Sequence, residues 1–393
     1  MRTFYSLSRG FLFNFTPEIS DVGCFSIDLE SMRFVSLFNM SGKILLIRLT
    51  SIGDVVHVLP ALNALRTAYP DAQIDWMVEE SPAQLLIGHP QINNLYIFRR
   101  KWRREFRRYF FSNIVPFFKK IRSVKYDWAI DFQGLTKSGL AAYFSGASRI
   151  IGFGDEDGRE LNKLFTNVKV RPSRPLHIVE KNLTLLQPLK IENPPVHFVF
   201  PDFSREKVPF DDDGYFVAVS PGAGWSTKRL PLTTLARLCA LLHLEKGLKI
   251  IIVWGPGEES LEKELSELIK SLGARADVAP PTTIQQLVRL ISRAGLFIGG
   301  DTGPTHIAAA LNVPVLSFFG ASDARRNRPY GRHCIAIQKY DISCVPCWKT
   351  RCRYKDSRRL ACLASITPEE LFRAAESLMD SGLNHGEGPA SGA

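Results

Sequence analysis

The segment 296–311, LFIGGDTGPTHIAAAL, places an acid, two hydroxyls and a histidine directly after an apolar run. Two glycines precede Asp301, Thr302 and Thr305, and a run of small residues typical of a helix follows them. Glycine lets the backbone approach a ligand closely, and a helix N-terminus offers free N–H groups to an anion such as phosphate. The segment therefore predicts either a phosphate-binding turn or an ordinary turn capped by Asp301 or Thr302.

A second segment, 43–65, repeats this pattern in the first half of the chain as KILLIRLTSIGDVVHVLPALNAL. Ser51, Gly53 and Asp54 come at the carboxyl end of the predicted strand, where open α/β sheets bind ligands. Neither segment contains the GxGxxG or P-loop pattern of common nucleotide sites. One strand–turn–helix unit in each half predicts two sheets that face each other across a cleft.

Short apolar runs alternate with helical segments along the whole chain. This alternation predicts an α/β fold with one parallel sheet in each half and right-handed crossovers. The candidate strands are 43–49, 73–78, 95–98, 127–131, 148–152, 215–220, 249–254, 296–299 and 314–319.

The length of 393 residues favours two domains, and a proline-rich polar stretch suggests where they join. The predicted parts are a poorly ordered N-terminal extension (1–40), a first domain (41–195), a linker (196–213), a second domain (214–366), a C-terminal helix (367–382) and a flexible tail (383–393). Met40 precedes the first clean strand, so the extension is a candidate for sequence upstream of the true translation start.

Positive charge is concentrated in the window 99–125, which holds eleven Lys or Arg and one acid among seven large aromatics. Basic residues beside aromatics are typical of a surface that lies on an anionic membrane. Nucleic acid binding and a solvated basic helix with inward aromatics are the alternatives. Pro116 predicts two shorter helices here. The residues expected at the membrane are Trp102, Arg103, Arg104, Arg107 and Arg108.

Four of the seven cysteines, Cys344, Cys347, Cys352 and Cys362, lie within 19 residues of one another. Basic neighbours favour thiolates, and four thiolates can hold a structural zinc ion. The spacing is not the two CxxC pairs of a zinc ribbon, so a metal, reduced thiols and disulfides all stay open. No convincing signal peptide and no apolar run of about 18 residues is present, which indicates a reducing compartment and no transmembrane helix.

Five segments together resemble glycosyltransferase family 9, the ADP-heptose–lipopolysaccharide heptosyltransferases. They are LIRLTSIGDVVHVLPAL (46–62), IDFQGLTKSG (130–139), SPGAGWSTKRLP (220–231), VWGPGEE (253–259) and GGDTGPTHIAAALNVPV (299–315), and they follow in order. The resemblance implies a glycosyltransferase-B fold of two Rossmann-like domains. The first would bind the acceptor and the second the nucleotide sugar. It also implies that the helix at 367–382 crosses back to the first domain.

The activity that this resemblance implies is inverting transfer of heptose from ADP-heptose to the Kdo/heptose inner core of lipopolysaccharide. Such a displacement needs a base for the acceptor hydroxyl and stabilisation of the departing diphosphate, and it requires no cofactor. Asp54 matches the aspartate that is thought to act as the base in the family. The alternative is that Asp54 only caps its helix.

Further contacts follow from the matched segments. Lys228 can reach a diphosphate as a point charge, Glu258 or the adjacent Glu259 can accept from a ribose hydroxyl, and His306 can stabilise the leaving phosphate. The donor-binding candidates are Lys228, Glu258, Asp301, Thr302, Gly303 and His306. The acceptor-binding candidates are Ser51, Gly53, Asp131, Gln133 and Lys137, with Lys137 expected to pair with a carboxylate or phosphate.

These features predict a cytoplasmic enzyme, peripheral on the inner membrane, with a lipid-anchored acceptor and no nucleic acid partner. One alternative is an enzyme of the same fold that uses another nucleotide sugar for a cell-envelope glycan. The other is a non-catalytic lipid- or nucleic-acid-binding protein that acts through its basic aromatic surface. The sequence leaves open which heptose of the core is transferred.

Overall fold

The computed structural model describes residues 42–154, 160–173, 175–208 and 214–383. The predicted extension at 1–40 lies outside these ranges, as does the predicted tail beyond residue 383. The side chain of Arg103 and part of the predicted linker also lie outside them.

The first half folds around six parallel strands in the order β3-β2-β1-β4-β5-β6. The strands are β1 (Lys43–Ile47), β2 (Gln73–Glu79), β3 (Asn94–Phe98), β4 (Trp128–Asp131), β5 (Arg149–Phe153) and β6 (Val168–Val170). The helices are α1 (Ile52–Val56), α2 (Leu59–Ala68), α3 (Glu80–Ala83), α4 (Arg100–Arg104), α5 (Phe106–Tyr109), α6 (Val115–Ser123), α7 (Thr136–Ser145) and α8 (Ile178–Thr184). Short 3₁₀ turns occur at Asn162–Leu164 and Gln187–Leu189.

The second half repeats this arrangement with the strand order β12-β11-β10-β7-β8-β9. The strands are β7 (Phe216–Ser220), β8 (Lys249–Ile252), β9 (Asp277–Val278), β10 (Leu296–Gly300), β11 (Val315–Phe319) and β12 (Cys334–Gln338). The helices are α9 (Leu232–Lys246), α10 (Glu259–Ser271), α11 (Ile284–Ser292), α12 (Gly303–Ala310), α13 (Ala324–Asn327), α14 (Ala361–Ala364) and α15 (Pro368–Leu383), with a 3₁₀ turn at Ser226–Lys228.

Both sheets have the strand order of a Rossmann domain, so the predicted α/β fold with two parallel sheets is confirmed. Each of the nine predicted strands is present, because central strands covered on both faces are continuous apolar runs. The sequence did not reveal β6, β9 and β12. These three strands lie at sheet edges, where side chains are partly exposed and no long apolar run is needed.

Prolines divide the helices at two places. Pro60 stands in the first turn of α2, so the helical pattern after β1 is split into α1 and α2. In the basic window, α6 begins at Val115 with Pro116 in its first turn, and a π-helical turn at Phe110–Ile114 joins it to α5. The predicted two helices are therefore three short helices and a π turn. Among the described residues, no helix combines the length and apolarity needed to cross a membrane.

The C-terminal helix does not lie where the resemblance implied. The described part of α15 packs on α9 and on strands of the second sheet, and Leu371, Ala375 and Leu378 are buried in that domain's core. Two ion pairs, Lys246–Glu376 and Lys339–Glu370, each 2.6 Å long, hold its polar face. The prediction that this helix crosses back to the first domain is therefore wrong. The apolar face of this helix is buried within the second domain.

The two domains meet through helices α1 and α12, which follow the central strands β1 and β10. A Cβ atom at Gly303 would lie 3.0 Å from the Ile52 side chain, and one at Gly53 would lie 2.8 Å from the ring of His306. The absence of side chains at these two glycines lets the helices approach closely. The first turn of each helix is therefore brought to the same place between the domains.

Substitution at Gly303 is expected to push the two domains apart. Gly303→Ala adds a methyl group against Ile52 and the backbone of Gly53, so we expect a lower melting temperature and a lower kcat. Gly224→Ala is the matched control for stability, since a Cβ atom at Gly224 meets open space. Thermal unfolding of the two variants measures the difference. Equal melting temperatures would show that the close approach of the helices is not needed.

Candidate active site

The predicted site residues lie where the strand order reverses in each sheet. In the first sheet this point falls between β1 and β4, and in the second it falls between β7 and β10. Loops that follow adjacent strands at such a point diverge and leave a crevice, which is where open α/β sheets bind ligands. The segments after these four strands carry Asp54, Lys137, the 221–228 loop and Asp301.

Asp54 lies in the first turn of α1 and forms an ion pair with Arg48, with 2.6 Å between Nη2 and Oδ1. Arg48 is buried and also donates to the carbonyl oxygens of Thr50 and Phe132. Burial alone would raise the pKa of Asp54, but the charge of Arg48 holds that pKa well below its usual range. The side chain of Asp54 is nevertheless 37% exposed. It is thus an ionised and reachable carboxylate at neutral pH.

Asp54 also makes the kind of contact expected if it caps its helix. Its Oδ2 accepts from the backbone N–H of Ser51 at 3.1 Å and from the Ser51 hydroxyl at 3.2 Å. These contacts fix the carboxylate against the start of α1. One oxygen therefore faces Arg48 and the other faces Ser51, so Asp54 supports the start of α1 while its carboxylate stays partly exposed.

Across the interface, Lys228, Asp301 and His306 form a connected chain of charges and hydrogen bonds. Lys228 Nζ lies 2.6 Å from Asp301 Oδ2 and 4.6 Å from the centre of the Trp225 ring. His306 Nε2 lies 3.1 Å from Asp301 Oδ1. Burial would raise the pKa of Asp301, but His306 and Lys228 together hold it well below its usual range. Asp301 therefore positions both a lysine and a histidine beside the N-terminus of α12.

Hydroxyl groups complete this turn. Thr302 is the N-cap residue of α12, and its Oγ1 lies 3.0 Å from Oγ1 of Thr305. Thr305 in turn donates to the carbonyl oxygen of Gly300 at 2.6 Å. No side-chain hydrogen bond caps the helix, so the backbone N–H groups of its first turn are available to an anion.

The structure distinguishes the two candidate ribose acids. Glu258 Oε2 accepts from the N–H of Gly255 at 3.0 Å, and its carboxylate lies against Gly222 in the loop after β7. A Cβ atom at Gly222 would come within 2.0 Å of that carboxylate, so a side chain there would displace Glu258 from its present position. Glu259 is exposed and binds the N–H of Gly257. Of the two candidate acids, Glu258 is therefore the one that faces the loop after β7.

The five acceptor candidates have different surroundings. Asp131 is fully buried and accepts hydrogen bonds from Ser138, Asn162 and two backbone N–H groups. The amide of Gln133 binds the N–H of Leu49 and the hydroxyl of Thr50. The prediction that Asp131 contacts the acceptor is therefore wrong, because its carboxylate is enclosed. Gln133 supports the loop after β1.

Of the other acceptor candidates, two present polar groups at the cleft. Lys137 is partly exposed in the first turn of α7, with its Nζ 3.3 Å from Oε1 of Glu79 at the end of β2. Ser51 is exposed beside Asp54, whereas Gly53 is buried against His306. The first domain thus presents Ser51 and Lys137 at the cleft, with Glu79 as a neighbour that the sequence did not indicate.

A cluster of three histidines lies between the domains. His57 and His306 have ring centres 4.3 Å apart, and both ring nitrogens of His57 have no hydrogen-bond partner among the described residues. His177 lies 2.7 Å from the carbonyl oxygen of Arg328 through Nε2. Burial lowers the pKa of His57 well below its usual range and lowers that of His177 to about 4. Burial thus favours the neutral form of both rings.

The low pKa of His177 predicts loss of stability in mild acid. The unfolded chain takes up this proton near pH 6.5, whereas the folded chain takes it up only near pH 4, so stability is present above pH 6.5 and falls between these values. The full effect is about 3 kcal/mol. Thermal melts from pH 7.5 to 4.5 should therefore show a shallower fall for His177→Gln. The native chain and the control His197→Gln, whose ring is exposed, should both show the full fall in melting temperature.

Only some of the residues predicted to contact the membrane are exposed to solvent. Arg104, Arg107 and Arg108 are exposed. Trp102, however, is only 8% exposed and packs edge-on against Phe98 and Phe117, with ring centres 5.6 and 5.5 Å apart. The prediction that Trp102 contacts a membrane is wrong, since it anchors α4 to the domain.

The late cysteines gather around one cavity of about 420 Å³, which Cys344, Cys347, Cys352 and Cys362 help to line. They are free thiols, and within the described ranges no three His, Cys, Asp or Glu side chains are placed to share a metal ion. The predicted zinc site therefore receives no support from the geometry. The loop instead braces the donor side, because Thr227 donates to the carbonyl oxygen of Lys349 at 2.6 Å.

Sequence reasoning did not assign roles to Arg48, Glu79, Gly222 or His177. Arg48 and Glu79 each stand at the carboxyl end of a strand, which was the available signal. Gly222 precedes Lys228 in a glycine-containing loop, but only the position of Glu258 shows that a side chain there would displace that carboxylate.

Known proteins are similar to this chain over most of its length. Lipopolysaccharide heptosyltransferase 1 of Pseudomonas aeruginosa is 28% identical over 352 residues, covering 86% of this chain and 98% of that protein. The structure of E. coli heptosyltransferase WaaC with ADP has a TM-score of 0.68 at 25% identity, covering 86% of this chain and 99% of that one. WaaC with ADP-2-deoxy-2-fluoro heptose has a TM-score of 0.65 at 26% identity, covering 85% and 99%.

These similarities place the two Rossmann-like domains in the glycosyltransferase-B architecture that the resemblance implied. The sequence model of glycosyltransferase family 9 (heptosyltransferase) matches residues 114–357, which is more than half of the chain. The match includes Lys228, Glu258 and the Asp301–His306 turn. The chain therefore belongs to glycosyltransferase family 9 and is a glycosyltransferase.

Proposed function

We propose that this enzyme transfers heptose from ADP-heptose to the Kdo/heptose inner core of lipopolysaccharide, with inversion at the anomeric carbon. The observation that carries the proposal is the direct contact of α1 with α12. It brings the ionised Asp54 of one domain beside the Asp301–His306 turn of the other. The relatives named lipopolysaccharide heptosyltransferases, and the neighbour bound to an ADP-heptose analogue, support this choice of substrates.

The chemistry follows from the two sides of the contact. On the first domain, Asp54 accepts the proton of the acceptor hydroxyl as that oxygen attacks the anomeric carbon. On the second domain, negative charge develops on the departing diphosphate. Lys228, His306 and the N–H groups at the start of α12 stabilise that charge. The first domain thus holds the acceptor and the second holds the nucleotide sugar. No cofactor is required, and a structural zinc ion is not part of the proposal.

Lys137 and Ser51 are the proposed acceptor contacts. An ammonium group beside Glu79 at the cleft can pair with a carboxylate or phosphate of the core sugar, and Glu79 keeps it in place until the acceptor arrives. Glu258 is proposed to accept from the donor ribose, since its carboxylate faces the loop after β7.

The enzyme is proposed to work in the cytoplasm at the inner membrane, where a lipid-anchored acceptor is held. The exposed arginines of the basic window support contact with anionic lipid, because each basic residue near such a surface contributes about 1 kcal/mol. Trp102 is not part of this contact.

Isothermal titration with ADP and with UDP, with and without Mg²⁺, tests the choice of donor. We expect metal-independent binding of ADP and none of UDP, followed by transfer activity with ADP-heptose. Preferential binding of UDP would favour an enzyme of the same fold with another nucleotide sugar. Binding of neither nucleotide would contradict the donor site at Lys228 and Asp301.

A further inference from the structure

An exposed apolar surface adjoins the basic window without belonging to it. Tyr143 and Phe144 at the C-terminal end of α7 are 58% and 46% exposed, and Leu161 and Leu164 of the following 3₁₀ turn are also exposed. The two aromatic residues contact rings of neighbouring segments. Phe144 lies 5.6 Å from Phe118 of α6, and Tyr143 lies 6.2 Å from Phe165, measured between ring centres. We call Tyr143, Phe144, Leu161 and Leu164 the α7 rim.

Basic side chains border this rim. Helix α6 packs on α7, and the stem of Arg122 covers Gly146 just after the end of α7. Phe106 and Phe111 of the basic window are also exposed, the latter by 80%. The exposed basic residues of the window are Arg99, Arg100, Lys101, Arg104, Arg107, Arg108, Lys119, Lys120, Arg122 and Lys125.

Apolar side chains that stay in water beside concentrated positive charge need a partner that offers both an apolar phase and negative charge. We propose that the α7 rim inserts into an anionic lipid bilayer while the basic window lies on its headgroups. A second copy of the chain fits poorly, because it would bring two such basic surfaces together. Nucleic acid would neutralise the arginines but would leave Leu161 and Leu164 without an apolar phase.

The position of the rim deepens the proposed function, on which this step rests. Helix α7 runs from Lys137, at the acceptor side of the cleft, to Tyr143 and Phe144 at its other end, whereas Leu161 of the rim lies beside the first turn of α7, where its N–H donates to the Thr136 hydroxyl. Its ten residues span about 15 Å. Insertion of the rim, which extends along α7, would hold the acceptor side of the cleft within about that distance of the bilayer. A lipid-anchored sugar could then reach Asp54 while its acyl chains remain in the membrane.

Vesicle flotation tests this inference with the full chain. The probes are vesicles of phosphatidylethanolamine with phosphatidylglycerol, vesicles of phosphatidylcholine alone, and a duplex RNA. We expect the native chain to bind the anionic vesicles and Tyr143→Ser/Phe144→Ser to bind them about tenfold more weakly, because the apolar area that enters the lipid is lost. Leu244→Ser is the matched control, since it removes an equally exposed apolar side chain from α9 in the second domain.

Each result has a defined meaning. Equal flotation of the native chain and the double variant overturns the inference. A double variant that loses binding to RNA but keeps binding to vesicles also overturns it. If the double variant unfolds, as shown by its melting temperature, Leu164→Ser replaces it. Titration with ADP is run on the same samples. Retained ADP binding with lost flotation supports the rim, whereas absent ADP binding in the native chain would contradict the proposed function and leave the vesicle result to stand alone.

Discussion

Asp54→Asn is expected to lower kcat by about 10²–10⁴-fold, the usual contribution of a positioned general base. The amide cannot take the acceptor proton, but it can still accept from Ser51 and cap α1. Binding of ADP should be unchanged, because the Lys228–Asp301–His306 chain lies on the other domain. A transfer assay with ADP-heptose, together with isothermal titration of ADP, measures both quantities.

Asp341→Asn is the control for this experiment, since it removes an exposed carboxylate from a loop of the second domain. Its kcat should equal that of the native enzyme. Loss of ADP binding in Asp54→Asn to the same degree as loss of turnover would remove the base assignment. Asp54 would then be a structural cap whose loss disturbs the interface between the domains.

Lys228→Met is expected to weaken ADP binding by about 30-fold or more, in line with the loss of one partner of a buried charge pair. The methionine keeps an unbranched side chain over Trp225 but removes the ammonium group that pairs with the Asp301 carboxylate, which keeps its hydrogen bond with His306. Turnover should fall as well, because the departing diphosphate loses a counter-charge. Titration with ADP and the donor KM measure these effects.

The control here is Lys270→Met in the last turn of α10, where the lysine is exposed. It should bind ADP as the native chain does. Full ADP affinity in Lys228→Met would show that the lysine serves only to neutralise Asp301. In that case its removal would lower the melting temperature and leave the donor KM unchanged.

The central parts of the fold were predictable because they follow from burial. Strands such as β1, β7 and β10 are covered on both faces and read as continuous apolar runs, and polar residues after them fall at the binding edge of the sheet. Edge strands such as β12 lack that signal. The place of α15 was also not predictable, because an amphipathic helix can bury its apolar face on either domain.

The sequence predicted where the site residues fall along the chain, but it did not predict which of their side chains are buried. Asp131 ends β4 and Lys137 follows it, yet the Asp131 carboxylate is enclosed by four hydrogen bonds whereas the Lys137 side chain reaches the cleft. Trp102 lies among basic and aromatic residues, as a membrane anchor often does, although its ring packs against Phe98. Residue type and spacing do not reveal which way a side chain turns once the neighbouring elements have packed.

The separation of the two half-sites onto two sheets has a consequence for how such enzymes diversify. Lys137 pairs with Glu79 in the first domain, whereas Lys228 pairs with Asp301 in the second, and effects of substitutions at well-separated sites are close to additive. Under the proposed function, replacements around Lys137 are therefore expected to change the preferred acceptor sugar while the affinity for the donor is retained. A lineage of these enzymes can extend its glycan by duplicating one gene and altering one half of the cleft.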